Sequence, residues 1–211
     1  MDTVSQLRND IDELRNSLMS KSLQSVAPPD DLSSAQSLLV RSFVILAHAH
    51  IEEFIEQMFS DFIAAKTLEI TDETIPACYA RLILHFGENI RGEKGSSGYA
   101  PGQLCLTAKS MYESKVIKAN NGLKEKNVTQ MARPLGLTSD EVSDACPDLF
   151  PALDTLGSKR GRLAHRSSQA VSETIYPGQA IKWVEDVLTH FAQLSNLLSS
   201  SQGVAASLST P

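Results

Sequence analysis

Apolar residues recur at three- and four-residue steps along most of the chain, the period of helices with one buried face. In residues 3–23 the positions Val4, Leu7, Ile11, Leu14 and Leu18 make one stripe on an otherwise polar segment. Pro28-Pro29-Asp30-Asp31 ends that connection, and Ser33 or Ser34 is placed to cap the next helix. Residues 34–66 carry two stripes. One runs Val44, Ala47, Ile51, Phe54, Met58, Phe62; the other runs Leu39, Phe43, Leu46 and reaches His50 and Glu53. A helix apolar on more than one side predicts the centre of a bundle. Further helices are predicted over 73–90, with Pro76 in the first turn, over 104–119, and around 127–134. Gly92 to Gly102, with four glycines and a proline, predicts a loop, and Asn120-Asn121-Gly122 a stop. Thr138-Ser139-Asp140-Glu141 has the form of a helix start, residues 148–166 form another helical stretch, and Pro177 opens a long helix over 178–199. From Ser199 onward the composition is that of a disordered tail. With no alternating strand pattern and no repeat, the expected fold is an all-α helical bundle.

Composition narrows the classes. An apolar fraction of 42% over 211 residues can build one compact core. The first residues lack the basic-then-apolar order of a signal peptide, and no apolar run approaches the roughly 18 residues of a membrane span. A soluble, cytoplasmic protein is expected. Cys78, Cys105 and Cys146 are far apart and form no C-x-x-C pair, which argues for thiols rather than a disulfide framework or zinc site. His48 and His50 point about 160° apart on a helix and make a poor metal pair. No metal or other cofactor is expected. The net charge of −6 is unevenly spread: −8 over residues 1–80, +4 over 81–170 and −2 over the rest. A phosphate-binding surface is therefore best sought in the second half.

The densest basic cluster lies there. Between 159 and 166 the chain reads Lys-Arg-Gly-Arg-Leu-Ala-His-Arg. Leu153, Leu156, Arg160 and Leu163 keep helical spacing, so Arg160 falls on the apolar stripe, where a guanidinium is costly unless paired or aimed at an anion. Gly157 and Gly161 leave room for close approach and each weaken a helix by about 1 kcal/mol relative to alanine, so a bend or helix end is expected. On a straight helix Arg160 and His165 diverge by about 140°. They converge through a break, through long side chains, or across a symmetry axis.

Arg160-Gly-Arg-Leu-Ala-His165 resembles the R-x4-6-H motif of HEPN domains. The stretch Leu39 to Phe54, with a glutamate shortly before an aromatic, is similar to the long helix of the RiboL-PSP branch, and Asn121-Gly-Leu-Lys followed by Leu135-Gly-Leu is similar to its approach to the motif. The resemblance covers roughly residues 35–195. It implies a HEPN-type bundle with an extra N-terminal helix: residues 1–32 as helix and linker, 33–198 as the domain, 199–211 as tail. It further implies a metal-independent endoribonuclease, a homodimer whose motifs meet in one site, and a toxin or defence setting with a possible antitoxin or other partner protein. On this reading His165 is the general acid/base and Arg160 steadies the transition state. Lys159, Arg162 and Arg166 hold RNA, and Glu52 orients the motif. The chain departs from the pattern at Gly161, where many members carry asparagine. Three plainer readings stand beside these. The basic cluster also suits a helix C-terminus, which favours cations. His48, Glu52 and Arg41 also suit an ordinary polar stripe. A non-catalytic module that binds RNA or a protein would carry the same motif.

Overall fold

The computed structural model describes residues 3–71, 74–94, 100–165 and 174–200, without the side chains of 3, 91–94 and 164–165. Every regular element among them is helical: α1 (Thr3–Leu18), α2 (Lys21–Gln24), α3 (Ser34–Thr67), α4 (Ala77–Lys94), α5 (Pro101–Tyr112), a π-helical turn (Glu113–Ile117), α6 (Glu125–Ala132), a 3-10 turn (Arg133–Leu135), α7 (Ser139–Ala145), α8 (Leu149–His165), α9 (Pro177–His190) and α10 (Ala192–Ser200). The all-α expectation holds among the described residues. The chain forms two compact units. One comprises 1–54, 122–125 and 146–194, and the other 55–121, 126–145 and 195–211.

In the first unit, Leu7 and Ile11 of α1, Phe43, Val44, Ala47 and Ile51 of α3, Leu153 and Leu156 of α8, and Val184 and Leu188 of α9 are buried. Each large aliphatic removed from water contributes about 1.5–3 kcal/mol before entropy is counted. Polar ties fix the helices around this core. Glu185 of α9 accepts from Arg8 at 2.8 Å and from Arg15 at 3.4 Å. The Gln193 amide accepts from the Leu149 N–H at 3.0 Å and donates to Asp148 at 3.0 Å, capping the start of α8. Ser33 starts α3 with a reciprocal box: its hydroxyl accepts from Gln36 N–H at 3.3 Å, and Gln36 Oε1 accepts from Ser33 N–H at 2.9 Å.

In the second unit, buried hydroxyls find backbone partners, as burial demands. Tyr79 of α4 donates to the Ile63 carbonyl at 3.2 Å, and Tyr112 of α5 to that of Met131 at 2.9 Å. Thr138 and Glu141 form the box that starts α7. Gly136 ends the 3-10 turn at φ +90°, a conformation that favours glycine, and its carbonyl accepts from Arg81.

Four expectations need correction. The helix expected over 3–23 ends at Leu18, because fully buried Met19 leads into Ser20, which caps α2 by accepting from Leu23 N–H at 3.3 Å. The glycine-rich loop is shorter than expected: α4 runs through Gly92 to Lys94 beyond buried Ile90, and Pro101 supplies a preset first turn for α5. The helix expected over 178–199 is two, divided at Phe191, where Leu194 N–H bonds the Phe191 carbonyl at 3.2 Å and the buried ring meets Phe54 edge-on at 5.3 Å. The second stripe of α3 is not a core face within the chain: Phe43 is buried, but Leu39 and Leu46 are 37% and 42% exposed. Of the tail expected over 199–211, Ser199 and Ser200 still belong to α10, and residues 201–211 lie outside the described residues.

Candidate functional site

The motif helix α8 presents Leu153 and Leu156 to the core, and one turn later the same stripe delivers Arg160, which is half-buried. The helix is continuous from Leu149 to His165, so it ends at neither glycine. Each glycine faces something different. A Cβ at Gly157 would lie 3.6 Å from Cγ of Lys124 and 3.9 Å from Nε2 of His48, whereas one at Gly161 would meet nothing within 4 Å among the described residues. Gly157 thus admits two side chains, and Gly161 is clear of the described residues.

His48 is the feature the sequence underweights. Its ring is buried, its Nε2 is directed at α8, and its Nδ1 stands 3.5 Å from Oε2 of half-buried Glu52 one turn on, a contact longer than a good hydrogen bond. Burial, and after it the positive charge of Arg160, lowers its pKa to about 4. At neutral pH His48 is therefore an uncharged imidazole beside a permanent cation. His50, two residues on, is exposed on another side of α3. Lys124 reaches the same place from the short segment before α6, held where Glu125 N–H donates to Asp154 of α8 at 3.2 Å. Only the spacing of His48 and Glu52, and Lys124 within the Asn121-Gly-Leu-Lys stretch, could have signalled this group.

The other expected residues are more dispersed. Lys159 is half-buried, with its ammonium 4.5 Å from the centroid of the Trp183 ring on α9. Arg162 is exposed. His165 ends α8, and its side chain lies outside the described atoms, as does the whole of Arg166. Arg41 is half-buried on α3. The structure thus brings Arg160, His48, Glu52 and Lys124 into one neighbourhood and turns Lys159 toward Trp183.

Among the described residues no group of three His, Cys, Asp or Glu is placed to hold a metal ion, and no helix is long and apolar enough to cross a membrane. The three cysteines are free thiols, and burial pushes Cys146 up to about 11, away from thiolate reactivity.

The family model RiboL-PSP-HEPN matches residues 5–200, the motif helix and nearly the whole chain included. The chain belongs to the RiboL-PSP-HEPN family. That places it among domains with nuclease and RNA-related functions. No curated protein and no solved structure matches it.

Two predictions arise from this neighbourhood of the RiboL-PSP-HEPN chain. Because the folded-state pKa of His48 lies below its ordinary 6.5, the unfolded chain takes up a proton first as pH falls. Stability is therefore lost between about pH 6.5 and 4, by at most about 3 kcal/mol and less to the extent that solvent reaches the ring. Denaturant unfolding at pH 7 and pH 4.5 should show a smaller difference in His48→Gln than in the parent; equal differences would remove His48 as the cause. At Gly161 no described residue stands in the way of an asparagine side chain. Gly161→Asn is expected to fold and to gain a few tenths of a kcal/mol in thermal unfolding from better helix propensity. A loss exceeding about 1 kcal/mol would show that the space is needed.

Proposed function

We propose that this chain is a metal-independent endoribonuclease acting as a homodimer, with Arg160 and His165 as its reacting residues. The observation that carries the reading is Arg160, delivered by the apolar stripe of α8 to a place beside buried, uncharged His48. In that arrangement the guanidinium keeps its charge and is directed by packing, as an anion-stabilising group requires. Cleavage proceeds by attack of a ribose 2′-oxygen on the adjacent phosphorus. The O2′–P bond forms, the P–O5′ bond breaks, the 2′-hydroxyl proton passes to a base and the 5′-oxygen receives one from an acid. His165 takes the proton-transfer role, since imidazole titrates near cellular pH. Arg160 bears the charge that builds on the non-bridging oxygens. The products are a 2′,3′-cyclic phosphate and a 5′-hydroxyl end.

Glu52, 3.5 Å from His48, orients Arg160 together with His48. Arg162 and Arg166 hold the RNA backbone electrostatically, and Lys159 with Trp183 forms a cation–aromatic pair on which a base can stack. Continuity of α8 supports the dimer: with no break, Arg160 and His165 of one helix diverge, and a symmetry axis is the direct way to bring the two residue types together. A toxin or defence role, restrained by an antitoxin or another partner protein in the cytoplasm, is the biological setting this activity fits. Gly161 favours a second reading, a module that binds RNA without cutting it.

The dimer is tested by dilution. Cleavage rate per subunit should fall in step with the loss of dimer measured by light scattering. A monomer that keeps the full rate would rule out a shared site.

A further inference from the structure

Lys124 lies in the Arg160 neighbourhood, and the cleavage scheme gives it no task. It belongs to a short excursion of the chain. Gly122–Glu125 is part of the first compact unit, although the stretches before and after it, 55–121 and 126–145, are part of the second. The excursion is anchored on both sides of Lys124: Leu123 is 1% exposed, and Glu125 N–H donates to Asp154 of α8 at 3.2 Å. These anchors lay the half-buried Lys124 side chain against α8 at Gly157. Its Cγ and Cε would stand 3.6 and 3.9 Å from a Cβ there, the second as near as His48 Nε2 at 3.9 Å. A larger residue at 157 would compete for this space.

Arg160 follows Gly157 by three positions on the same helix, so the two occupy neighbouring parts of one face. Lys124 and Arg160 therefore converge on buried His48 from two different elements. Among the described residues neither cationic side chain has a hydrogen bond or an ion pair. Like charges brought together repel, and partial burial weakens the screening that water provides. A surface lysine escapes this cost by turning away, but here buried Leu123 and the tie to Asp154 hold the backbone on either side. An anion shared by the two cations relieves it.

We infer that the Lys124 ammonium and the Arg160 guanidinium grip one phosphate group together, which makes Lys124 a substrate-touching residue of this site. The two cations do different work. Arginine offers a planar fork that fixes the phosphate's orientation, and lysine a point charge on a flexible stem that follows the oxygen on which charge builds. In the cleavage reading the phosphate is the scissile one, and the inference rests on that reading for its substrate. The paired cations are a feature of the fold and are testable without cleavage. A lysine that only covers the helix with its methylenes would pack in the same way and need no charge.

The test compares the full chain with Lys124→Met, which keeps the stem over Gly157 and removes the charge, and with Lys124→Arg, which keeps the charge. The first readout needs no cleavage. Sulfate, a tetrahedral oxyanion, replaces chloride at constant ionic strength while the His48 ring resonances are followed by NMR. A saturable change is expected in the parent, about tenfold weaker or more in Lys124→Met and largely kept in Lys124→Arg. The second readout is single-turnover RNA cleavage. Lys124→Met should slow the cleavage step by about tenfold or more, with thermal unfolding and the histidine-like arm of the pH profile unchanged, and Lys124→Arg should recover most of the rate. Sulfate binding that depends on Lys124 in a chain that cuts no RNA would uphold the paired cations and remove the cleavage reading. Sulfate acting no differently from chloride, or bound as tightly by Lys124→Met as by the parent, would overturn the inference. Cleavage at the parent rate in Lys124→Met would also overturn it, and would leave the cleavage reading standing.

Discussion

Replacing Arg160 with alanine is expected to slow RNA cleavage by about 10²–10³-fold with little change in dimer content. That is the usual effect of removing one preorganised donor from a site where negative charge develops. The side chain is half-buried on the stripe of α8 that carries Leu153 and Leu156, and its charge is felt at buried His48. Arg160→Lys should recover only part of the rate, because an ammonium keeps the charge but loses the planar fork. The same substitution to alanine has an independent readout. Arg160 is the second cause of the lowered pKa of His48, after burial. In Arg160→Ala the His48 titration, followed by NMR, should therefore move upward toward its ordinary range while staying below it. An unmoved His48 would show that the two groups are not electrostatically coupled, and the arrangement proposed for the site would fall with it.

His165→Ala carries the other large effect, a loss of about 10²–10⁴-fold in rate, the range typical of a positioned acid or base. Its signature is in the pH profile. The parent should show an arm set by a histidine-like group, and the variant should lose that arm while keeping its affinity for RNA. A variant with lower affinity and an unchanged profile would make His165 a binding residue.

Particular helices show how far the sequence could be read. Strong periodicity placed α3 and α8 within a residue or two, because long amphipathic patterns reflect burial directly. The helix starts at Ser33 or Ser34 and at Thr138 were legible because capping is local chemistry, and the structure settles the first on Ser33. The division at Phe191 was not legible, since the apolar stripe continues through it and only tertiary packing on Phe54 makes the turn worthwhile. Nor was the fate of Leu39 and Leu46, because periodicity identifies an apolar face without saying what covers it. In the site, Arg160 could be found from its place on a stripe. His48 could be paired with Glu52 by spacing, but its burial, its approach to Gly157 and its coupling to Arg160 require α3 and α8 in contact. Lys124, more than thirty residues from Arg160 in sequence, enters the same neighbourhood only through the fold. The contact of Lys159 with Trp183 likewise joins two helices that sequence spacing cannot relate.

The decisive assay for the proposed nuclease is incubation of RNA with the purified protein in EDTA, with the new ends identified and Arg160→Ala and His165→Ala run alongside. Cleavage should survive the chelator, yield 2′,3′-cyclic phosphate and 5′-hydroxyl ends, and be lost in both variants. Intact RNA in the presence of folded, dimeric protein, or cleavage that the two substitutions leave unchanged, would contradict the assignment.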